Sequence, residues 1–205
     1  MNNHHLISQR FRGFLPIIID VETGGIDPRK DALLELAAVS IKMDEQGLIH
    51  PDAEYHYHIL PFEGSNLDPE SLAFNKIDPH HPFRFAVPES EALHDLFSKI
   101  KKECKQKDCR RAVIVGHNAW FDQHFVNCAA TRCKITKMPF HRFTSFDTAT
   151  LSGLAYGQTV LSKALSAANI PFDTEQAHSA LYDAQCTAQL FCAIVNQWHK
   201  LSVLS

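Results

Sequence analysis

Asp20 and Glu22 stand two residues apart at the end of the most apolar stretch of the chain, Leu15 to Asp20, which holds three consecutive isoleucines. Side chains two apart on a strand point to the same side, so these carboxylates face one place. Held close with no cation or hydrogen-bond donor between them, they would raise each other's pKa or weaken the fold. The pair reads either as half of a metal site or as a solvated strand end. Another acid, Asp122, follows the short apolar run Ala112 to Val115, inside His117-Asn118-Ala119-Trp120-Phe121-Asp122. Ligands of open α/β sheets gather where strands end, although an acid in the first turn of a helix is also favoured by the macrodipole alone. The third cluster, His178-Ser179-Ala180-Leu181-Tyr182-Asp183, opens the last amphipathic segment. Five residues of helix turn through about 140°, so these two side chains cannot share a face and His178 belongs to the preceding loop. A loop histidine is either an ordinary surface residue or a general base, since imidazole exchanges protons near neutrality.

The elements that must position these groups follow from pattern. Leu15 to Asp20, between Gly13 and the pair Gly24-Gly25, suits a fully buried central strand. Leu33 to Met43 fits helix or strand, but the turn Asp44-Glu45-Gln46-Gly47 and the alternating Tyr55, Tyr57 and Ile59 point to an antiparallel continuation. Pro69 to Asn75 predicts a short helix with proline first, Ile77 to Pro88 an ordered surface loop, and Glu89 to about Cys104 a longer helix. Ala112 to Val115 predicts a buried strand and Phe121 to Arg132 a helix, together a parallel crossover. Asp147 suits the N-cap of a helix running to Tyr156, and Val160 to Asn169 is helical until Ile170-Pro171 ends it. From about Ser179 to Trp198, the residues Leu181, Ala184, Ala188, Phe191, Ile194, Val195 and Trp198 recur at helical spacing. Three meander strands followed by alternating helices and strands give an α/β fold with a mixed sheet.

With 205 residues, 45% of them hydrophobic, the chain can bury one sizeable core, and residues 1–205 are expected to form one domain. No stretch approaches the roughly 18 to 20 apolar residues of a membrane span, and no apolar run precedes a cleavage site, so a soluble, cytoplasmic protein is expected. Six cysteines without a CxxC pair suggest reduced thiols and give no zinc spacing. The net charge of −3 argues at first sight against a polyanionic partner. Divalent ions on clustered acids would cancel much of that charge. Positive charge concentrates at Arg10, Arg12, Lys99, Lys101, Lys102, Lys105, Lys107, Arg110 and Arg111, either a solvated face or a phosphate track.

Taken together and in order, Asp20-Val21-Glu22, Asp122 in an HNxxFD context, and His178 with Asp183 at H-x₄-D spacing resemble the three motifs of the DEDDh 3′-to-5′ exonuclease family. A likeness covering nearly the whole chain is to its ribonuclease T family: Arg10-Phe11-Arg12-Gly13-Phe14, Pro69 to Asn75, Ile77-Asp78-Pro79, Gly157 to Lys163 and Gln176 to Asp183 carry it. The resemblance implies an RNase H-like fold with a mixed five-stranded sheet flanked by helices. It implies that Asp20, Glu22, Asp122 and Asp183 hold two Mg²⁺ or Mn²⁺ ions, with His178 as base; all-oxygen ligands suit such hard cations better than zinc. The implied substrates are single-stranded 3′ ends of tRNA and other stable RNAs, with single-stranded DNA as a second candidate, and the product is a nucleoside 5′-monophosphate. By the same likeness Phe74, Phe121 and Phe143 face terminal bases and Glu70 can hydrogen-bond a base edge, although Phe121 equally suits core packing. A homodimer is implied, in which the basic patch of one subunit, with Arg10, Arg12 and Arg111 in it, feeds the catalytic centre of the other. Ile26 departs from the phenylalanine expected there and lacks a π face, while Trp120 either compensates or packs. The alternatives are a proofreading-type DNA exonuclease subunit, an oligoribonuclease, or a silent nucleic-acid-binding module. All five catalytic positions are present, which argues against the last.

Overall fold

The apolar run that ends in Asp20 becomes the middle of a sheet. A computed structural model describes residues 4–203. In chain order the elements are α1 His4–Arg10, β1 Phe14–Thr23, β2 Leu33–Met43, β3 Ile49–His58, α2 Pro69–Asn75, α3 Glu89–Gln106, β4 Arg111–Gly116, α4 Trp120–Arg132, β5 Phe140–Asp147, α5 Thr148–Tyr156, α6 Leu161–Ala167 and α7 Ala180–Val203. The five strands form one sheet in the order β3-β2-β1-β4-β5. β1 pairs antiparallel with β2 and parallel with β4, so the sheet is mixed. Ile17 and Ile18 point to opposite faces, yet both are 0% exposed, which requires cover on both sides. Each such side chain contributes about 1.5 to 3 kcal/mol by leaving water. The cover comes from α7 across β1 to β3 and from α3 and α4 against β4 and β1.

Leu33–Met43, open between helix and strand by pattern, is strand because it is sandwiched between β1 and β3 and buried over nine residues. α2 starts and stops where expected: Asp68 caps it by accepting from Ser71 N at 3.1 Å, and Pro69 takes the first position. Asp147 caps α5 by accepting from Ala149 N at 2.8 Å. The stripe on α7 is shorter than expected, since Trp198 is exposed. A second face of α7, with Cys186 and Leu190, packs against Leu165 of α6, so the helix is wedged between two apolar clusters.

Two elements differ from the sequence-based expectation. Residues 4–10, assigned to no element, form α1, which buries Ile7. Residues 140–147, assigned to no element, form the edge strand β5. Its phenylalanines fall at 140, 143 and 146, which is not strand alternation; Ala112 pairs with Phe140 but Ile114 pairs with Ser145, so the intervening residues loop out of the ladder. No described helix is long and apolar enough to cross a membrane. Residues 1–3, on which part of the expectation about the N-terminus falls, lie outside the described residues.

Candidate active site

The carboxyl-terminal end of β1 opens on a cavity of about 980 Å³, with Asp20, Glu22, Asp122, His178 and Asp183 all in its wall. The strand's alternation brings Asp20 and Glu22 to one side, and α7 brings Asp183 to meet them: one oxygen from each of the three lies within 4.8 Å of the others. Asp122 enters from the first turn of α4, where its Oδ1 accepts the Val21 N–H at 3.1 Å. This approach needs Gly116, because a Cβ there would come within 3.0 Å of Asp122 Oδ2 and of the Ala119 backbone. Asp183 Oδ2 accepts the His178 N–H at 3.1 Å, whereas its Oδ1 is buried with no hydrogen-bond partner among the described residues.

Gathering these acids has an electrostatic cost. Burial pushes Asp20 well above the usual carboxylate range, and Asp122, Glu22, Asp183 and Glu35 push it further. Burial, then Asp183, Glu35 and Asp122, raise Glu22 to about 8. Asp122 is pushed up to about 8, again mainly by burial and against the backbone N–H groups that favour its ionised form. Asp183 is raised by burial, partly offset by the His178 N–H and by the charge of that histidine. Clustered oxygen donors with one buried lone acceptor suit a hard divalent cation, so these four residues fit the Mg²⁺ or Mn²⁺ that the motifs imply. A stability profile follows from the same shifts. The native state keeps protons that the unfolded chain has released between about pH 4 and pH 8, so stability is greatest at the acid end and is lost as pH rises through about 8. In EDTA the melting temperature is expected to fall from about pH 5 to pH 8, and saturating Mn²⁺ to flatten that slope. Thermal melts across this range check it; a flat EDTA profile would contradict it.

His178 sits in the turn before α7 with a left-handed backbone, φ 69°. Its ring lies 4.0 Å from that of Phe74, tilted by 46°. α2 carries Phe74 there because Asn75 Nδ2 donates to Thr23 O at 3.0 Å, tying the helix to the end of β1. Glu70, one helical turn before Phe74, lines the same cavity.

The RNase_T exonuclease family model matches residues 17–191. A ribonuclease T of Klebsiella pneumoniae is 58% identical over 195 residues, covering 95% of this chain and 91% of the relative. The chain belongs to the ribonuclease T family. A ribonuclease T of Haemophilus influenzae is likewise 58% identical over 198 residues, 97% of this chain and 86% of the relative. Among solved structures, the nuclease domain of 3′hExo, a DEDDh family member bound to rAMP, superposes with a TM-score of 0.70 at 15% identity, covering 89% of this chain and 92% of that one. E. coli exonuclease I in complex with a dT13 oligonucleotide gives a TM-score of 0.70 at 16% identity, covering 93% of this chain and 43% of that longer one. At such identities these structures speak for the fold, which is RNase H-like with helices flanking the mixed sheet. As a member of this family the chain is a metal-dependent 3′-to-5′ exonuclease.

In this ribonuclease T family member the other expected contact residues divide. Phe74 and Phe121 line the cavity, and the ring of Phe121 also packs 5.0 Å from that of Phe125. Ile26, 83% exposed, and Trp120, 60% exposed, line it too, so Trp120 is not core. Phe143 lies outside the cavity wall, 85% exposed on β5. Arg12 and Arg111 are exposed but also outside it; Arg111 borders a separate hollow with Lys101, Lys105 and Arg110. Arg10 lies off the cavity wall, its guanidinium bonded to His199 Nδ1 at 2.7 Å and Val195 O at 3.3 Å, fastening α1 to α7. Lys107 leaves the basic track as well, being buried with Glu103 at 2.6 Å and Asp52 at 3.0 Å. His117, quoted in the second motif but given no role, is held within the wall, its Nε2 donating to Thr159 O at 2.8 Å and its Nδ1 3.0 Å from Thr148 Oγ1. All six cysteines are free.

Proposed function

We propose that the protein trims unpaired 3′ ends of tRNA and other stable RNAs one nucleotide at a time, releasing nucleoside 5′-monophosphates, with single-stranded DNA as a second substrate. The observation that carries this is the meeting of four carboxylates and a histidine in one open cavity rimmed by exposed aromatic rings. In this reading residues 1–205 form a single exonuclease domain, acting in the cytoplasm as a homodimer. Asp20, Glu22, Asp122 and Asp183 hold two Mg²⁺ ions, for which Mn²⁺ substitutes. When bound, such a pair supplies Lewis-acid stabilisation of the attacking and leaving oxygens of an in-line displacement at phosphorus. His178 takes the proton of the attacking water, from a loop seat that leaves its ring in the cavity. In this reading its contact with Phe74 couples terminal-base stacking to proton transfer, so a badly stacked 3′ end leaves the histidine poorly placed.

Recognition at the end is by shape and stacking. Phe74 and Phe121 offer ring faces to terminal bases and Glu70 a hydrogen-bond acceptor, while Phe143, outside the wall, serves nucleotides further along the strand. Arg12 and Arg111, equally outside it, suit a phosphate track that serves a second subunit. Trp120 supplies a stacking face beside Ile26, which has none. Since stacking a base on an aromatic ring is worth about 1 to 3 kcal/mol, Trp120→Ala is expected to raise KM for a short single strand by about 5- to 150-fold with kcat held. Steady-state kinetics check this, and an unchanged KM would show that the indole only shields the wall.

The test of the function is digestion of a 5′-labelled RNA with a single-stranded 3′ tail beside a stem. Stepwise shortening from the 3′ end, nucleoside 5′-monophosphate as product, and a stall near the stem are expected, because a paired base must first be unstacked. Internal cleavage, or 3′-phosphorylated products, would overturn it.

A further inference from the structure

Glu35 is a buried carboxylate that the catalytic cluster does not use. In the sheet it is the Cα partner of Glu22 on one side and of His58 on the other, so the three share a row and a face. His56, two residues along β3, shares that face too. Glu35 Oε1 lies 2.9 Å from His58 Nδ1 and Oε2 lies 3.4 Å from His56 Nε2. The two rings stand 4.6 Å apart at 66°, and one donor atom from each of the three residues lies within 4.8 Å of the others.

Two imidazoles and one carboxylate are a zinc donor set. Around a tetrahedral Zn²⁺ at about 2.0 to 2.1 Å, donors stand about 3.3 Å from one another, so the three donors here, within 4.8 Å, have only to draw together to hold one ion. Three protein ligands leave the fourth position to water. The site is also reachable, because β3 is an edge strand and both histidines are partly exposed. Glu35 is held from behind, its Oε2 accepting the Ala180 N–H at 3.4 Å, the kind of support that orients a ligand. One feature of the surroundings opposes a cation: Arg84, bonded to Leu34 O at 2.8 Å, acts on both Glu35 and His58.

We propose that Glu35, His56 and His58 form a second metal site, separate from the four-carboxylate centre, which takes Zn²⁺ or a similar transition-metal ion. Imidazole donors select such ions over the Mg²⁺ suited to the oxygen-only centre. Because Ala180 begins α7 two residues after His178, an ion held by Glu35 braces β3 against the segment that carries the histidine.

Cobalt substitution tests this in the full-length protein, since Co²⁺ in a four-coordinate site with imidazoles absorbs visible light far more strongly than in an oxygen-only six-coordinate one. One equivalent of strongly absorbing Co²⁺ is expected, displaced by Zn²⁺ but not by Mg²⁺. It should persist in Asp183→Asn and bind at least about 10- to 100-fold more weakly in His58→Ala and in Glu35→Gln. Melting curves in EDTA establish that these variants fold. If the wild-type protein shows no such absorption, the three residues are only a hydrogen-bonded clamp. Absorption that survives a His56→Ala, His58→Ala double variant, or that vanishes in Asp183→Asn alone, also overturns the proposal.

Discussion

Asp20→Asn is expected to give a folded protein that turns over at least about 10²- to 10³-fold more slowly, the loss that follows removal of a single well-placed charge-stabilising group. The substitution keeps the shape of the side chain and removes one anionic donor from the middle of the cluster, where Glu22, Asp122, Asp183 and Glu35 all act on it. The same change should stabilise the protein in EDTA near pH 8. Asparagine resembles the protonated acid, so it abolishes the repulsion that burial and four neighbouring carboxylates impose on the ionised form. Loss of turnover together with a raised melting temperature separates a functional acid from a structural one, which would lower both. Single-turnover digestion and thermal melts of the same preparation check it; near-wild-type turnover would contradict the role given to Asp20.

His178→Asn is the second large effect. The residue has φ 69°, a conformation that asparagine tolerates and alanine does not, so this replacement tests the imidazole without straining the turn. It also keeps the backbone N–H that Asp183 Oδ2 accepts. Loss of a general base predicts a fall in kcat of about 10²- to 10⁴-fold. The rise in melting temperature on adding Mn²⁺ should survive, since no carboxylate of the cluster is touched. An unchanged kcat would remove His178 from the reaction. Loss of the Mn²⁺ effect would recast it as a support of the metal site.

What could be read in the sequence was what a single segment declares for itself. Leu15 to Asp20 is buried on both faces and could only be an inner strand, so the facing of Asp20 and Glu22 followed from alternation alone. The placing of His178 outside the last helix followed from helical geometry in the same way. What failed depends on partners far away in the chain. Arg10 looked like a free cation because nothing near it in sequence reveals His199, 189 residues on. Lys107 looked like part of a basic face because the sequence shows Glu103 one helical turn before it but not Asp52, 55 residues away, nor the burial of the lysine. β5 was hidden by its own irregularity, since phenylalanines three apart match a strand only when residues bulge from the ladder. The grouping of Glu35 with His56 and His58 likewise depends on the register of β2 against β3, which composition does not fix.

The most direct measurement is the anomalous-scattering map of crystals grown with Mn²⁺ and a nucleoside 5′-monophosphate. Two peaks are predicted between Asp20, Glu22, Asp122 and Asp183, with the mononucleotide phosphate beside them and its base against Phe74. Mn²⁺ peaks elsewhere with none among these four carboxylates, under conditions where the crystallised protein is active, would contradict the metal-pair centre.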